Sequence, residues 1–396
     1  MGEARNGSEA TDRVVRAVTG GPGFMARHLV VALLRSGEWH VRVTDLAPNI
    51  VLGPGENEGL LGDALRDGRA VFVSVDVCNL DQVIKASERV DVVFHTAAAN
   101  PGKNNLQLHY KVNVEGTKSV IDACKICKVK RLIHTSSSAV VFDGVHGLVD
   151  VNESLPYPDK FPNAYTKTKA EAEKLVMKAN ETDDLLTCCI HPSSIFGLGD
   201  MISFLKNFIY WTLGYFGWFY MNLLLKQNLS ISMKIGPISK FVIGDGKNYD
   251  DFVYVENVVH AHICADRILS TVEGAKRSGG KAYFITNMEP MNMWDFLDMV
   301  QEELGYKRLF KIRIPVLIIK PISYLVEWGY KLLYRCGMFQ PQILTPARIK
   351  YVTLNRTFSC NKAIEELGYK PTVTIMDGLK TTVKSYIQLK NKDFSK

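Results

Sequence analysis

Tyr165 and Lys169 stand four residues apart at the start of a helical stretch, so one turn of helix sets them on the same face. A phenol with an ordinary pKa of about 10 is a poor base at neutral pH. A nearby ammonium stabilises the phenolate, which would let the pair take a proton from an alcohol. The spacing alone is not distinctive, because Tyr386 and Lys390 repeat it in a polar C-terminal stretch where no role is expected. Position separates the two. The first pair follows an apolar run that closes on Thr135, Ser136, Ser137 and Ser138, where a hydroxyl can donate to a developing alkoxide or to a ketone oxygen. A polar strand end is the plain structural reading of these serines, and both readings stand at this point.

Such chemistry needs a frame. Val14–Thr19, Val41–Asp45, Val71–Val75, Val92–Thr96, Leu132–Ser136 and Leu186–Ile190 read as strands, with helical patterns over Met25–Arg35, Leu106–Cys127 and Asn163–Asn180 between them. Continuous apolar strands are buried on both faces, which predicts an α/β fold, a doubly wound parallel sheet of Rossmann type, with a smaller C-terminal α/β lobe. The expected division is 1–12 disordered, 13–198 the dinucleotide-binding domain, 199–385 a substrate lobe from which 241–265 returns to the core, and 386–396 a polar tail. Arg16 is an awkward residue for a central strand, and the sequence offers no account of it.

Between the first strand and first helix runs Thr19-Gly20-Gly21-Pro22-Gly23-Phe24-Met25-Ala26. A pyrophosphate needs backbone N–H donors and a helix N-terminus at close range, and glycine removes the Cβ atoms in its way. Gly20 permits the tight turn, Gly23 the close approach, and Ala26 is small enough to pack helix on strand. Asp45 ends the second strand, placed to accept hydrogen bonds from the adenosine ribose and to repel a 2′-phosphate, so NAD is expected over NADP. A turn or capping aspartate is the competing reading. Asp76, after the third strand, is a candidate adenine contact.

Nearly half of the residues are apolar, 46%, and 22% are charged, an ordinary globular balance. The net charge of +7 is scattered rather than gathered on one face, so no nucleic-acid partner is expected, and an anionic membrane is tolerated. The eight cysteines form no disulfide framework. Cys124 and Cys127 lack a second pair at zinc spacing, so no metal site is expected and the thiols are read as reduced.

These residues carry a resemblance. TGGPGFMA, Asp45, FHTAAA (Phe94–Ala99), Asn113, TSSS, YTKTK and HPSSIFG (His191–Gly197) resemble the extended short-chain dehydrogenase/reductase series in its order. VVFDGVHG (Val140–Gly147), NESLPYP (Asn152–Pro158), FVYVENVVHAHICA (Phe252–Ala265) and AYFITNMEP (Ala282–Pro290) narrow it to the 3β-hydroxysteroid dehydrogenase family, in a plant branch related to sterol-4α-carboxylate 3-dehydrogenases. The resemblance implies Tyr165 as proton acceptor, Lys169 as its partner and NAD ligand, and Ser137 as carbonyl-side donor, with Ser138 next in line. It implies Phe24 and Ala97 beside Gly20, Gly23, Asp45 and Asp76 in the cofactor cradle, Pro192 and Ser194 bordering the nicotinamide, and Asn113 bracing the active-site helix. The chain departs from the pattern at His191, where arginine is common, at Phe358-Ser359-Cys360, which replaces an aspartate-containing stretch, and after Asp200, where it runs longer and more apolar.

Met201–Leu225 and Ile312–Tyr334 are unusually apolar. Asn207–Leu225 is long enough to span a bilayer. An interfacial helix or a flap at the substrate mouth suits it better, because both flanks belong to one folded unit. A non-native insert is a third reading. Ile312–Tyr334 reads as a membrane contact or as a core helix. Together they suggest a protein on the cytosolic face of the endoplasmic reticulum, taking a sterol or steroid substrate from the bilayer, with a homodimer left open. The expected reaction is oxidation of a sterol 3β-hydroxyl with loss of a 4α-carboxylate. Its rivals are the same oxidation without decarboxylation, action on a nucleotide sugar or flavonoid-like ketone, and a membrane-associated NAD-binding scaffold without turnover.

Overall fold

The structure, a computed structural model, describes residues 14–53, 56–101, 105–199, 241–303, 311–334 and 345–393. The N-terminal residues 1–12 and the apolar segment 201–225 lie outside the described residues. Apolar runs rich in Val form the parallel strands β1 (Val15–Thr19), β2 (His40–Asp45), β3 (Ala70–Ser74), β4 (Val92–His95) and β5 (Arg131–Thr135). The helices α1 (Phe24–Arg35), α2 (Leu60–Asp67) and α3 (Leu80–Ser87) connect the first four. The predicted helix Leu106–Cys127 is α4 (Leu106–His109) and α5 (Gly116–Ile126) joined by a π-helical turn, Tyr110–Glu115. Past β6 (Leu148–Val151), α6 (Ala164–Lys178) leads to β7 (Leu186–Pro192).

With β12 (Lys281–Ile285) at one edge, the main sheet has the order β12-β7-β5-β4-β1-β2-β3. The strand order reverses between β1 and β4, which run parallel, and this is the crevice where open α/β sheets bind ligands. The sheet's seventh strand, β12, comes from beyond residue 198, where the sequence reading closes the domain. Shorter pairings complete the lobe. β8 (Ser194–Phe196) pairs with β11 (Phe252–Tyr254), and β9 (Phe241–Ile243) with β14 (Ile312–Ile314). β10 (Tyr249–Asp250), β13 (Met291–Asn292) and β15 (Arg356–Phe358) join β6 in a four-stranded sheet.

Alternation along each strand feeds two cores. Val18, Val43, Phe94 and Cys188 pack toward α1, α2 and the helix Val255–Leu269, while Ala17, Val93, Leu132 and Cys189 pack toward α3, α5 and α6. Arg16 finds its partner on the helix that covers the sheet. Its Nε and Nη2 donate to Asp266 at 3.1 and 2.9 Å, Arg131 Nε donates to the same carboxylate at 2.6 Å, and the guanidinium lies 3.5 Å from the Trp39 ring centroid. Beyond the described core, β14 leads into the helix Val316–Tyr334, which contains Pro321. Among the described residues no helix is long and apolar enough to cross a membrane.

Candidate active site

The glycine loop folds as a cradle. Gly20 takes a left-handed φ of +68°, and a Cβ there would stand 2.9 Å from Ala97 Cα, which is why both residues must be small. Gly21 is as constrained, since its Cβ would fall 2.1 Å from Val43 Cγ1, a role the sequence reading missed. Gly23 donates to Gly20 O at 2.9 Å and is the N-cap of α1, with no side-chain cap and no acidic residue in the first turn. An uncapped, glycine-lined helix N-terminus offers free amides and the positive end of the dipole, so the residues present fit a dinucleotide pyrophosphate. Phe24 lies against Gly197 and Gly199, where added Cβ atoms would come within 3.3 Å of its ring. Asp45 stands half-buried at the end of β2 with Oδ1 accepting from Ala47 N at 3.0 Å, and Asp76 accepts from Cys78 N at 2.9 Å. Both carboxylates therefore sit at the carboxyl edge, each tied into its own turn.

The N-terminus of α6 is capped by Asn163, whose Oδ1 accepts from Thr166 N at 2.9 Å, and the cap places Tyr165 in the first turn. Burial pushes the Tyr165 hydroxyl up to about 12, while its hydrogen bond with Ser137 pulls it down. Ser137 Oγ also accepts from Ala139 N at 3.2 Å, starting the short 3-10 turn Ser138–Val141. Ser138 is buried. The structure thus brings Tyr165 to Ser137 as the sequence reading requires. Lys169, only 2% exposed, turns its Nζ to acceptors at the end of β5, Thr135 O at 2.5 Å and His134 Nε2 at 3.2 Å. Burial lowers it to about 8, against the opposing charges of Glu173 and Cys189.

Asn113 braces this helix. The π-turn swings its side chain so that Oδ1 accepts from Ala99 N at 2.8 Å and Nδ2 donates to Thr168 Oγ1 at 3.0 Å. His109, on the preceding turn, sets its ring edge-on to Tyr165 with centroids 6.0 Å apart.

One turn beyond Lys169, Glu173 is buried and receives His191 Nε2 at 2.5 Å and the Tyr157 hydroxyl at 2.6 Å. Sequence reasoning missed Glu173, although the four-residue step from Tyr165 through Lys169 was its signal. The histidine that replaces the common arginine therefore keeps a carboxylate partner. Pro192 ends β7, buried opposite Ile285 of β12. Ser194 commits its hydroxyl to Asp250 Oδ2 at 2.8 Å, beside the ion pair of Asp250 with Arg356. In the departing stretch Phe358 N donates to Asp251 Oδ2 at 2.7 Å, and Cys360 Sγ receives Thr286 N at 3.1 Å. Asp251 and Cys360 line a cavity of about 520 Å³ with Asp150, Met288 and Ser359.

The comparisons agree with this geometry. The model of the 3-beta hydroxysteroid dehydrogenase/isomerase family matches residues 17–212 and 221–316. A 3beta-hydroxysteroid-dehydrogenase/decarboxylase isoform 1 of Arabidopsis thaliana is 50% identical over 94% of this chain and 80% of its own length. Isoform 2 is 48% identical over 94% of this chain, which spans 62% of that relative. The human sterol-4-alpha-carboxylate 3-dehydrogenase, decarboxylating, is 34% identical over 94% of this chain and 88% of its own length. Among solved structures, a UDP-glucuronic acid 4-epimerase from Bacillus cereus, in complex with UDP-glucuronic acid and NAD, is similar in fold at a TM-score of 0.65 and 22% identity, over 95% of this chain and 100% of the other. With its Gly20 cradle and its Ser137, Tyr165 and Lys169 at one sheet edge, the chain belongs to the 3-beta hydroxysteroid dehydrogenase/isomerase family.

Proposed function

We propose that this protein oxidises the 3β-hydroxyl of a sterol with NAD and that the product loses a 4α-carboxylate as carbon dioxide. The 50% identity to a relative named as a dehydrogenase/decarboxylase carries this reading, because it extends over 94% of the chain and so across both the cofactor cradle and the catalytic helix. Bound NAD+ would supply an acceptor for the hydride leaving the sterol C3 and a positive charge that favours the phenolate. Gly20, Gly23 and Phe24 would hold its pyrophosphate end and Asp45 its adenosine ribose, with Asp76 and Ala97 alongside. Pro192 and Ser194 would border the nicotinamide, with Asn113 bracing the helix that carries Tyr165 and Lys169. Tyr165 removes the hydroxyl proton, Ser137 donates to the oxygen as it becomes a ketone, and Lys169 orients the ribose and offsets the phenolate charge. The product is a β-keto acid. Its C4–carboxyl bond breaks with the electron pair passing into the ketone as an enol, so the chain need only hold the substrate in place.

NADH formation by detergent-purified protein tests this. A 4α-carboxy-3β-hydroxysterol is offered beside a plain 3β-hydroxysteroid and a nucleotide sugar. Turnover confined to the carboxysterol is expected, with a loss of about 10²–10⁴-fold in Tyr165→Phe. Equal turnover of the plain steroid removes the decarboxylation, and turnover of the nucleotide sugar alone removes the sterol.

The helix Val316–Tyr334 supports a membrane-surface location for the substrate entrance, on the cytosolic face of the endoplasmic reticulum. Leu317, Leu325 and Trp328 are 88, 68 and 67% exposed, an apolar display that an interfacial helix would press into lipid. Recovery of the whole protein in a detergent-free high-speed supernatant would defeat this location.

A further inference from the structure

Lys169 is an ammonium almost wholly out of water, and among the described residues it makes no ion pair. An ammonium has three N–H donors. Thr135 O takes one at 2.5 Å and His134 Nε2 a second at 3.2 Å, which leaves one for the phenol or the cofactor ribose. We infer that His134 is a positioning residue for Lys169: its neutral ring, held as an acceptor at the end of β5, keeps the ammonium charged and fixed while one N–H is left for chemistry. The inference rests on the role of Lys169 proposed above.

Three features of the ring support it. First, Lys169 has only donors to offer, so His134 must accept at Nε2 and carry its proton on Nδ1. Nδ1 is buried with no protein partner among the described residues, an arrangement that core packing alone would not favour. Second, the ring is pinned. It packs 5.1 Å from the His95 ring across the β4–β5 register, and His95 is itself held at Nδ1 by Thr19 Oγ1 at 2.8 Å and at Nε2 by Thr117 Oγ1 at 2.9 Å. Third, the surroundings keep His134 neutral. Burial first, then Lys169 and the neighbouring His95, His191 and His262, hold it well below the ordinary histidine value. Glu173 and Cys189 face Lys169 from α6 and β7 and favour its charge, while burial opposes it. A lone pair on His134 adds to the favouring side, because an acceptor for the charged form stabilises that form.

The test pairs a spectroscopic signature with a pH profile on the full chain in detergent. With ¹⁵N-labelled histidine, the signals absent from His134→Gln identify His134. They should show protonated Nδ1 and bare Nε2 from about pH 6 to about pH 7, where Lys169 is charged, and Nε2 should shift in Lys169→Met. His134→Leu removes the acceptor. Its alkaline loss of kcat should move down by about one pH unit and kcat should fall about tenfold, with KM little changed. His134→Gln, which returns an acceptor at similar reach, should restore kcat to within about threefold of the parent. A protonated Nε2 in the parent protein overturns the inference whether or not the Leu variant folds, as does an unmoved alkaline limb in a folded Leu variant. Absence of sterol turnover in the parent would count against the proposed function alone, since the tautomer is read without substrate.

Discussion

Asp266, on the helix Val255–Leu269, reaches across the sheet to Arg16 of the central strand β1, 2.9 Å from Nη2 and 250 positions away in the chain. It also pairs with Arg131 of β5 at 2.6 Å, so one carboxylate ties two strands to the helix that covers them. The three side chains are largely buried, with exposures of 8, 3 and 13%.

Removing one member of a buried pair leaves the other charge without compensation. Asp266→Ala should therefore cost about 3–5 kcal/mol, read as a lower urea midpoint in unfolding followed by tryptophan fluorescence. Adding Arg16→Met should recover part of that loss, because the apolar side chain no longer needs a partner. A double variant no more stable than the single would show that Arg16 is supported chiefly by its stacking on Trp39.

The cradle makes a sharper demand. Gly20→Ala places a Cβ 2.9 Å from Ala97 Cα at a φ of +68°, so the loop must shift away from its phosphate-binding form. NADH affinity, followed by fluorescence titration, should fall about tenfold or more, with a stability loss of about 1–3 kcal/mol. Unchanged affinity would mean that the pyrophosphate is held elsewhere.

Cofactor choice tests Asp45 separately. Asp45→Asn keeps the acceptor that Ala47 N uses and removes the charge that repels a 2′-phosphate. The kcat/KM ratio of NADP+ to NAD+ should rise about tenfold, mostly through KM for NADP+. An unmoved ratio would make Asp45 a turn residue only.

The buried histidines set the acid limit. Burial lowers His95 to about 3, with Lys169 adding to it, and lowers His262 to about 4 against its bond to Val258 O. Both values lie below the ordinary 6.5, so below that pH the unfolded chain binds protons that the native state refuses. Stability is full above about pH 6.5 and falls as the solution becomes more acid, by about 2–3 kcal/mol for each histidine near pH 4.5. Thermal unfolding across that range should show the fall. His262→Gln should flatten it while keeping a partner for Thr135 Oγ1, which now meets His262 Nε2 at 2.7 Å. A slope unchanged in the variant would assign the acid sensitivity to other groups.

Much of the molecule follows from local pattern. The glycine loop between strand and helix, the apolar strands buried on both faces, and the one-turn step from Tyr165 to Lys169 are relations between near neighbours, and backbone geometry turns them directly into a cradle, a sheet and a shared helix face. The family resemblance adds Ser137 and Asn113, whose hydrogen bonds with Tyr165 and Thr168 the structure then supplies. What only the tertiary structure decided are the partners across the chain. Arg16 is tolerable in a central strand because a helix that begins 239 positions later brings Asp266 over it, and no pattern around Arg16 encodes that helix. Lys169 turns to His134 and Thr135 because burial sends an ammonium to the nearest acceptors and those lie on β5. Glu173 finds His191 because α6 and β7 are packed side by side, and β12 closes the sheet from beyond the predicted domain because its apolar run has an open edge to pair with. The local code determined which elements form and which residues could act; the packing of distant elements decided which charges are compensated and so which state each acting residue holds.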